Sequence, residues 1–111
     1  MHYKELLKAR DELTGSGGPF EITETDVLGN RIRIYKNAPL SVREVWLSTI
    51  EFSERPYLVY GEERLTYGEA HERVNAVAAW LSAQGVKPGD RVAIAMRNYP
   101  EWMLIYWACV S

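Results

Sequence analysis

With 111 residues, of which 47% are apolar, the chain is sized for a small packed domain and is too apolar for a disordered tail. Thirteen basic against fifteen acidic residues leave a formal charge of -2. Neither sign forms a run, which argues against nucleic-acid binding and against a polybasic membrane patch. Cys109 is the single cysteine, which excludes an internal disulfide and a cysteine-based metal framework and makes the reducing cytoplasm the expected compartment.

The first residues lack the apolar core of a signal peptide. Tyr3, Leu6, Leu7 and Leu13 instead recur at helical spacing, which predicts a leading amphipathic helix. Thr14-Gly15-Ser16-Gly17-Gly18-Pro19 breaks it. Phe20 to Leu28 and Arg31 to Tyr35 then flank Gly29-Asn30, with Ile32 and Ile34 on one face and Arg31 and Arg33 on the other, the pattern of a hairpin with a glycine-first turn. Ser41 and Glu44 read as a capping box for a helix that carries Val42, Val45, Trp46, Thr49 and Ile50 on one face and closes near Arg55-Pro56. Tyr57-Leu58-Val59-Tyr60, a Gly61-Glu62-Glu63 turn and Arg64-Leu65-Thr66 predict a second hairpin.

Thr66 and Glu69 form a further capping box. Ala70, Val74, Val77, Ala78 and Leu81 line one face behind it, and Gly85 is placed for a left-handed helix end, so a helix is expected over about residues 67–84. After a Lys87-Pro88-Gly89-Asp90 turn, Arg91-Val92-Ala93-Ile94-Ala95-Met96 reads as a strand covered on both faces. Strand, helix and buried strand make a right-handed βαβ unit, and the fold class is α/β. Asn98 is the expected cap of a last helix, with Pro100 in its first turn and Glu101 at the third helical position. Trp102 through Val110 is apolar around the whole cylinder, a pattern expected where a helix is covered on all sides. The run is far short of the roughly 18 residues of a membrane-spanning helix.

In order and in kind these residues resemble the N-terminal portion of an adenylate-forming enzyme of the acyl-CoA synthetase, luciferase and peptide-synthetase adenylation superfamily. Leu65-Thr66-Tyr67-Gly68-Glu69 resembles the first core motif of that family, L-T-Y-x-E-L, with Ala70 in place of the final leucine. The helix, the Gly85-to-Val92 turn and strand, and Asn98-Tyr99-Pro100-Glu101 follow as they do in the family. Gly17-Gly18-Pro19-Phe20-Glu21 and Lys36-Asn37-Ala38-Pro39 are most similar to bacterial fatty acyl-CoA synthetases.

The resemblance implies a parent protein in which a carboxylate attacks the α-phosphate of magnesium ATP and the acyl group then passes to coenzyme A. It implies ATP, magnesium and coenzyme A for that parent and none for this chain, because the family's phosphate loop, magnesium carboxylate, ribose aspartate and C-terminal lysine have no counterpart here. The expected organisation is a leading helix and linker over residues 1–18 and a partial N-terminal domain over residues 19–111. No catalytic, cofactor-binding or metal residue is expected, and the chain alone is expected to be catalytically silent. The alternative is a free-standing, non-catalytic interaction module that oligomerises through its apolar C-terminal helix. In either case the expected contacts, to the remainder of the enzyme or to a second copy, are Trp102, Met103, Leu104, Ile105 and Trp107.

The individual polar residues favour structural roles. The glycine-rich stretch before Pro19 lacks a following helix N-terminus with lysine, so it reads as a linker and not a phosphate cradle. The Thr66 and Glu69 spacing is explained by capping. His71 has no companion ligand and is expected at the surface, Cys109 is expected as a small buried hydrophobe, and Lys87 and Asp90 as solvated turn charges. Trp46, Trp80, Trp102 and Trp107 are expected in core and interface packing.

Overall fold

Helix α1 (Tyr3–Thr14) begins where the Glu5 carboxylate reaches back to accept from the His2 amide at 2.8 Å. The computed structural model describes residues 2–111, and the chain divides into two compact units, Met1–Pro39 and Leu40–Ser111.

In the first unit, α1 is followed by a glycine-rich turn and an antiparallel hairpin of β1 (Ile22–Val27) and β2 (Asn30–Tyr35). The turn differs from the expected glycine-first form. Val27 pairs with Asn30, so the central residues are Leu28 and Gly29, at φ 50° and 80°. Two positive φ values define a type I′ turn. The cause is register: this pairing sets Glu24 opposite Arg33 and Asp26 opposite Arg31, while Thr23 and Thr25 face Ile34 and Ile32. A one-residue slip would turn every side chain to the other face. Leu28 therefore accepts a left-handed conformation, which costs an L-residue about 1–2 kcal/mol. None of the described residues of this unit is buried.

The second unit holds a true core. Helix α2 (Val42–Ser48) is capped by the Ser41 hydroxyl, which accepts from the Glu44 amide at 3.1 Å. The expected reciprocal bond is displaced by one residue: the Glu44 carboxylate takes the Leu40 amide, at 2.7 Å. The helix tightens into a 3-10 turn over Thr49–Phe52, and only Trp46 of the predicted apolar face is buried; Val42, Val45 and Ile50 are exposed. Strands β3 (Pro56–Tyr60) and β4 (Glu63–Thr66) form the second hairpin, with a bulge between Pro56 and Leu58.

Helix α3 (Tyr67–Ala83) follows at once. Its box is complete: the Glu69 amide donates to the Thr66 hydroxyl at 3.2 Å, and the Thr66 amide donates to the Glu69 carboxylate at 2.9 Å. At the other end Gly85, at φ 93°, lets its own amide reach the Ser82 carbonyl and the Val86 amide reach that of Leu81, so carbonyls left over by the helix are satisfied. The turn at Pro88-Gly89 is closed by Asp90, whose carboxylate accepts from the Lys87 amide at 2.8 Å.

The α/β class stands, with helices and hairpins alternating along the chain. The second strand of the expected βαβ unit does not form. Residues 91–96 carry no ladder, and Val92 and Met96 are exposed. A strand exists through its neighbours' hydrogen bonds, and both sheets of the structure are closed two-stranded hairpins that do not pair with this segment. Helix α4 (Pro100–Val110) starts one residue later than expected: Tyr99 is the N-cap, Asn98 is outside it, and Glu101 is the second helical residue. Its inner stripe, Pro100, Leu104 and Ala108, is buried. Leu104 and Ala108 join Trp46, Leu65, Ala70 and Val74 in one core cluster. Ala70, the residue that departs from the L-T-Y-x-E-L pattern, is completely buried there.

Candidate functional site

The densest grouping of polar and aromatic side chains surrounds Trp46. Its indole stacks with two rings: His71 of α3 at 4.0 Å and 18°, and Trp107 of α4 at 4.8 Å and 16°. Tyr57 of β3 packs beside it at 5.7 Å and stacks in turn on Tyr67 at 4.5 Å. Tyr57 accepts a hydrogen bond from Trp107 Nε1 at 2.6 Å. Desolvation pushes the Tyr57 hydroxyl above its ordinary pKa, against the lowering effect of that bond. Elements distant in sequence thus meet in one aromatic cluster, within which Trp107 and Tyr57 are hydrogen-bonded to each other.

His71 overturns its expected surface position. It is 7% exposed, its Nε2 lies 2.9 Å from the Thr49 hydroxyl, and burial holds its pKa below the usual imidazole value. A signal for this was present in the sequence. His71 stands three residues before Val74 and seven before Ala78, on the flank of the α3 apolar stripe.

Cys109 is corrected in the opposite sense: it is exposed. It lines a groove with Leu81, Val86 and Pro88, and partial desolvation there raises its thiol pKa. That shift makes it a poorer nucleophile at neutral pH. Trp80 is also outside the core, at 61% exposure.

The glycine-rich turn after α1 holds its own anion. The Gly17 amide donates to Glu21 Oε2 at 3.0 Å, and Lys36 Nζ bonds Glu21 Oε1 at 3.0 Å. The amide first and the lysine second keep the Glu21 carboxyl below the usual carboxylate pKa. A phosphate approaching this turn would meet a carboxylate, so these residues do not fit a nucleotide. Among the described residues no three His, Cys, Asp or Glu side chains gather to hold a metal ion. Thr66 and Glu69 are engaged in capping, and Lys87 and Asp90 flank an exposed turn.

One apolar concavity of about 250 Å³ lies between β3 and the start of α4, with Leu58, Val59 and Tyr60 on one side and Tyr99, Trp102 and Met103 on the other. Tyr60 and Tyr99 meet edge to face at 5.5 Å. Of the residues expected to mediate association, Leu104 is inside the core and Trp107 is packed against it, while Trp102, Met103 and Ile105 are half-buried.

Comparison with known proteins bears on the second unit. A family model described as AMP-binding enzyme matches residues 48–111, from the last residue of α2 through α4. The chain is similar to a medium/long-chain-fatty-acid–CoA ligase of Mycobacterium tuberculosis, 42% identical over 60 residues, covering 54% of this chain and 10% of that protein. It is 50% identical over 50 residues to an acetyl-coenzyme A synthetase of Chlorobaculum tepidum, covering 44% of this chain and 8% of the relative. A feruloyl-CoA synthase of an Amycolatopsis species is 44% identical over 50 residues, covering 45% and 10%. The chain therefore spans about a tenth of the length of these relatives. No solved structure matches the chain.

Proposed function

The chain belongs to the AMP-binding enzyme family, and from that membership we propose that it is part of an acyl-CoA synthetase-like enzyme to which it contributes architecture and not chemistry. The observation that carries the reading is the family match over residues 48–111, the span that folds into the hairpin, the doubly capped α3 and the α4 packed on it. The three relatives above are named for joining different acids to coenzyme A. Their common reaction is the basis of the proposal.

In the proposed enzyme a carboxylate oxygen attacks the α-phosphorus of ATP, with magnesium on the phosphates, and pyrophosphate leaves. The coenzyme A thiol then attacks the acyl carbon, and AMP leaves. Both steps need preorganised charge around phosphate oxygens. The residues of this chain supply none of it in our reading: Glu21, Glu69 and Asp90 each hold a backbone amide, and His71 is shut in the core. ATP, magnesium and coenzyme A are assigned to other parts of the enzyme, fatty acids are the first substrate class to test, and the cytoplasm is the proposed location. No helix among the described residues is long and apolar enough to cross a membrane.

The test is fatty-acid-dependent exchange of pyrophosphate into ATP, followed by coenzyme A-dependent AMP release, with the full-length protein and the 111-residue chain run in parallel. Exchange by the full-length protein and none by the chain is expected. Failure of the full-length protein with every carboxylic acid tried would remove the enzyme reading; turnover by the chain alone would remove the architectural one. We further propose that the remainder of the enzyme covers the outward face of α4, formed by Trp102, Met103 and Ile105. Protection of that face from hydrogen exchange only in the full-length protein is the expected result, and equal protection in the isolated monomer would refute it.

A further inference from the structure

The Thr49 hydroxyl bridges the Trp46 carbonyl and the His71 ring. The Thr49 hydroxyl has one proton and donates it to the Trp46 carbonyl at 2.7 Å. We assign the hydroxyl proton to that carbonyl, so that at the 2.9 Å contact His71 Nε2 is the donor and carries the hydrogen. On that assignment Nδ1 is the ring position left to take a further proton; among the described residues it has no hydrogen-bond partner, and it is not fully sealed from solvent. The ring lies flat on Trp46, which lies flat on Trp107.

No counter-charge is engaged with the ring. On α2 the Glu44 carboxylate is held by the Leu40 amide, and on α3 the Glu69 carboxylate is held by the Thr66 amide while Arg73 pairs with Glu63 of β4. Arg43 of α2, Glu51 of the 3-10 turn, Arg64 of β4, Glu72 of α3 and Glu101 of α4 are exposed. None of these groups, and neither Tyr57 nor Tyr67, forms a hydrogen bond or ion pair with the imidazole.

We propose that His71 is an acid-sensitive latch: a proton added at Nδ1 places an uncompensated charge in the Trp46–Trp107 stack and loosens α2 and α4 from α3. The attraction of the cation for the indole face offsets part of this, but the ring is cut off from most of the water that would otherwise stabilise the charge. The pKa of the folded-state imidazole is lowered from 6.5, so the unfolded chain binds the proton first. Stability is then present above the unfolded value and lost as pH falls through the folded one, with the unfolding constant rising by at most about tenfold per pH unit for one proton. This inference is independent of the proposed enzymatic role.

The test uses the 111-residue chain carrying His2→Gln, so that His71 is the only histidine. Urea unfolding is followed by tryptophan fluorescence between about pH 8 and pH 5, alongside the same chain with His71→Phe, which keeps a flat ring and cannot titrate. A several-fold rise in the unfolding constant that is absent in His71→Phe is expected; equal slopes would overturn the latch. Nitrogen NMR of the histidine ring reads the same claim without a core variant, and alone decides if His71→Phe does not fold. Hydrogen on Nε2 and a midpoint below 6.5 support the proposal, whereas hydrogen on Nδ1 or a midpoint at or above 6.5 refutes it.

Discussion

Trp107 Nε1 donates to the Tyr57 hydroxyl at 2.6 Å across 50 residues of sequence, tying α4 to β3. Each side chain is the other's polar partner in a partly buried setting, so removing one strands the other. Trp107→Phe and Tyr57→Phe should each cost about 1–3 kcal/mol, and the double variant less than their sum. Urea midpoints of the four chains give the coupling directly. Strict additivity would show that the bond contributes nothing.

The same hydroxyl predicts an alkaline limit. Its folded-state pKa is raised from 10.0 by desolvation, so the stability it contributes is fully present below the unfolded value and is lost as pH rises through the folded one. Above about pH 10, the reference chain should lose stability more steeply than Tyr57→Phe. Thermal melts at alkaline pH check this, and parallel profiles would contradict it.

Two tryptophans should separate cleanly. Trp46 is 1% exposed and stacked with both His71 and Trp107, so Trp46→Ala should cost about 3–5 kcal/mol. Trp80 is 61% exposed, and Trp80→Ala should stay within about 0.5 kcal/mol of the parent. Denaturant titration followed by backbone circular dichroism reads both.

Leu28 carries the strain of the first hairpin. Leu28→Asn creates the Asn-Gly pair favoured by a type I′ turn and should stabilise the hairpin by about 1 kcal/mol. Slower hydrogen exchange of the β1 and β2 amides is the expected readout. Faster exchange would place the turn elsewhere.

Cys109 should be accessible but slow. Native chain should be alkylated to completion, since the residue is exposed, at a rate below that of an unhindered thiol because its raised pKa lowers the thiolate fraction. Reaction only after denaturation would contradict the exposed position.

What the sequence made legible is what is decided within about one helical turn. The Thr66 and Glu69 box, the Gly85 stop and the Ala70-to-Leu81 stripe all depend on spacings of three or four residues, and the structure forms them. Tertiary neighbours settled the rest. His71 is buried because Trp46 and Thr49, 22 or more residues earlier, close over the flank of α3. Residues 91–96 have the composition of a strand, but a ladder partner is a property of another segment. That Glu21 occupies the glycine-rich turn required Gly17 and Lys36 to be seen around it.

The unpaired segment has a consequence for how the chain is handled. Val92-Ala93-Ile94-Ala95-Met96 is a short run of apolar residues without charge or proline, the composition that templates intermolecular β-pairing when its amides are free. Arg91 and Arg97 bracket it, placing a positive charge at each end. Stacking such segments in register would bring these cations together at strand spacing, which opposes fibrillar growth.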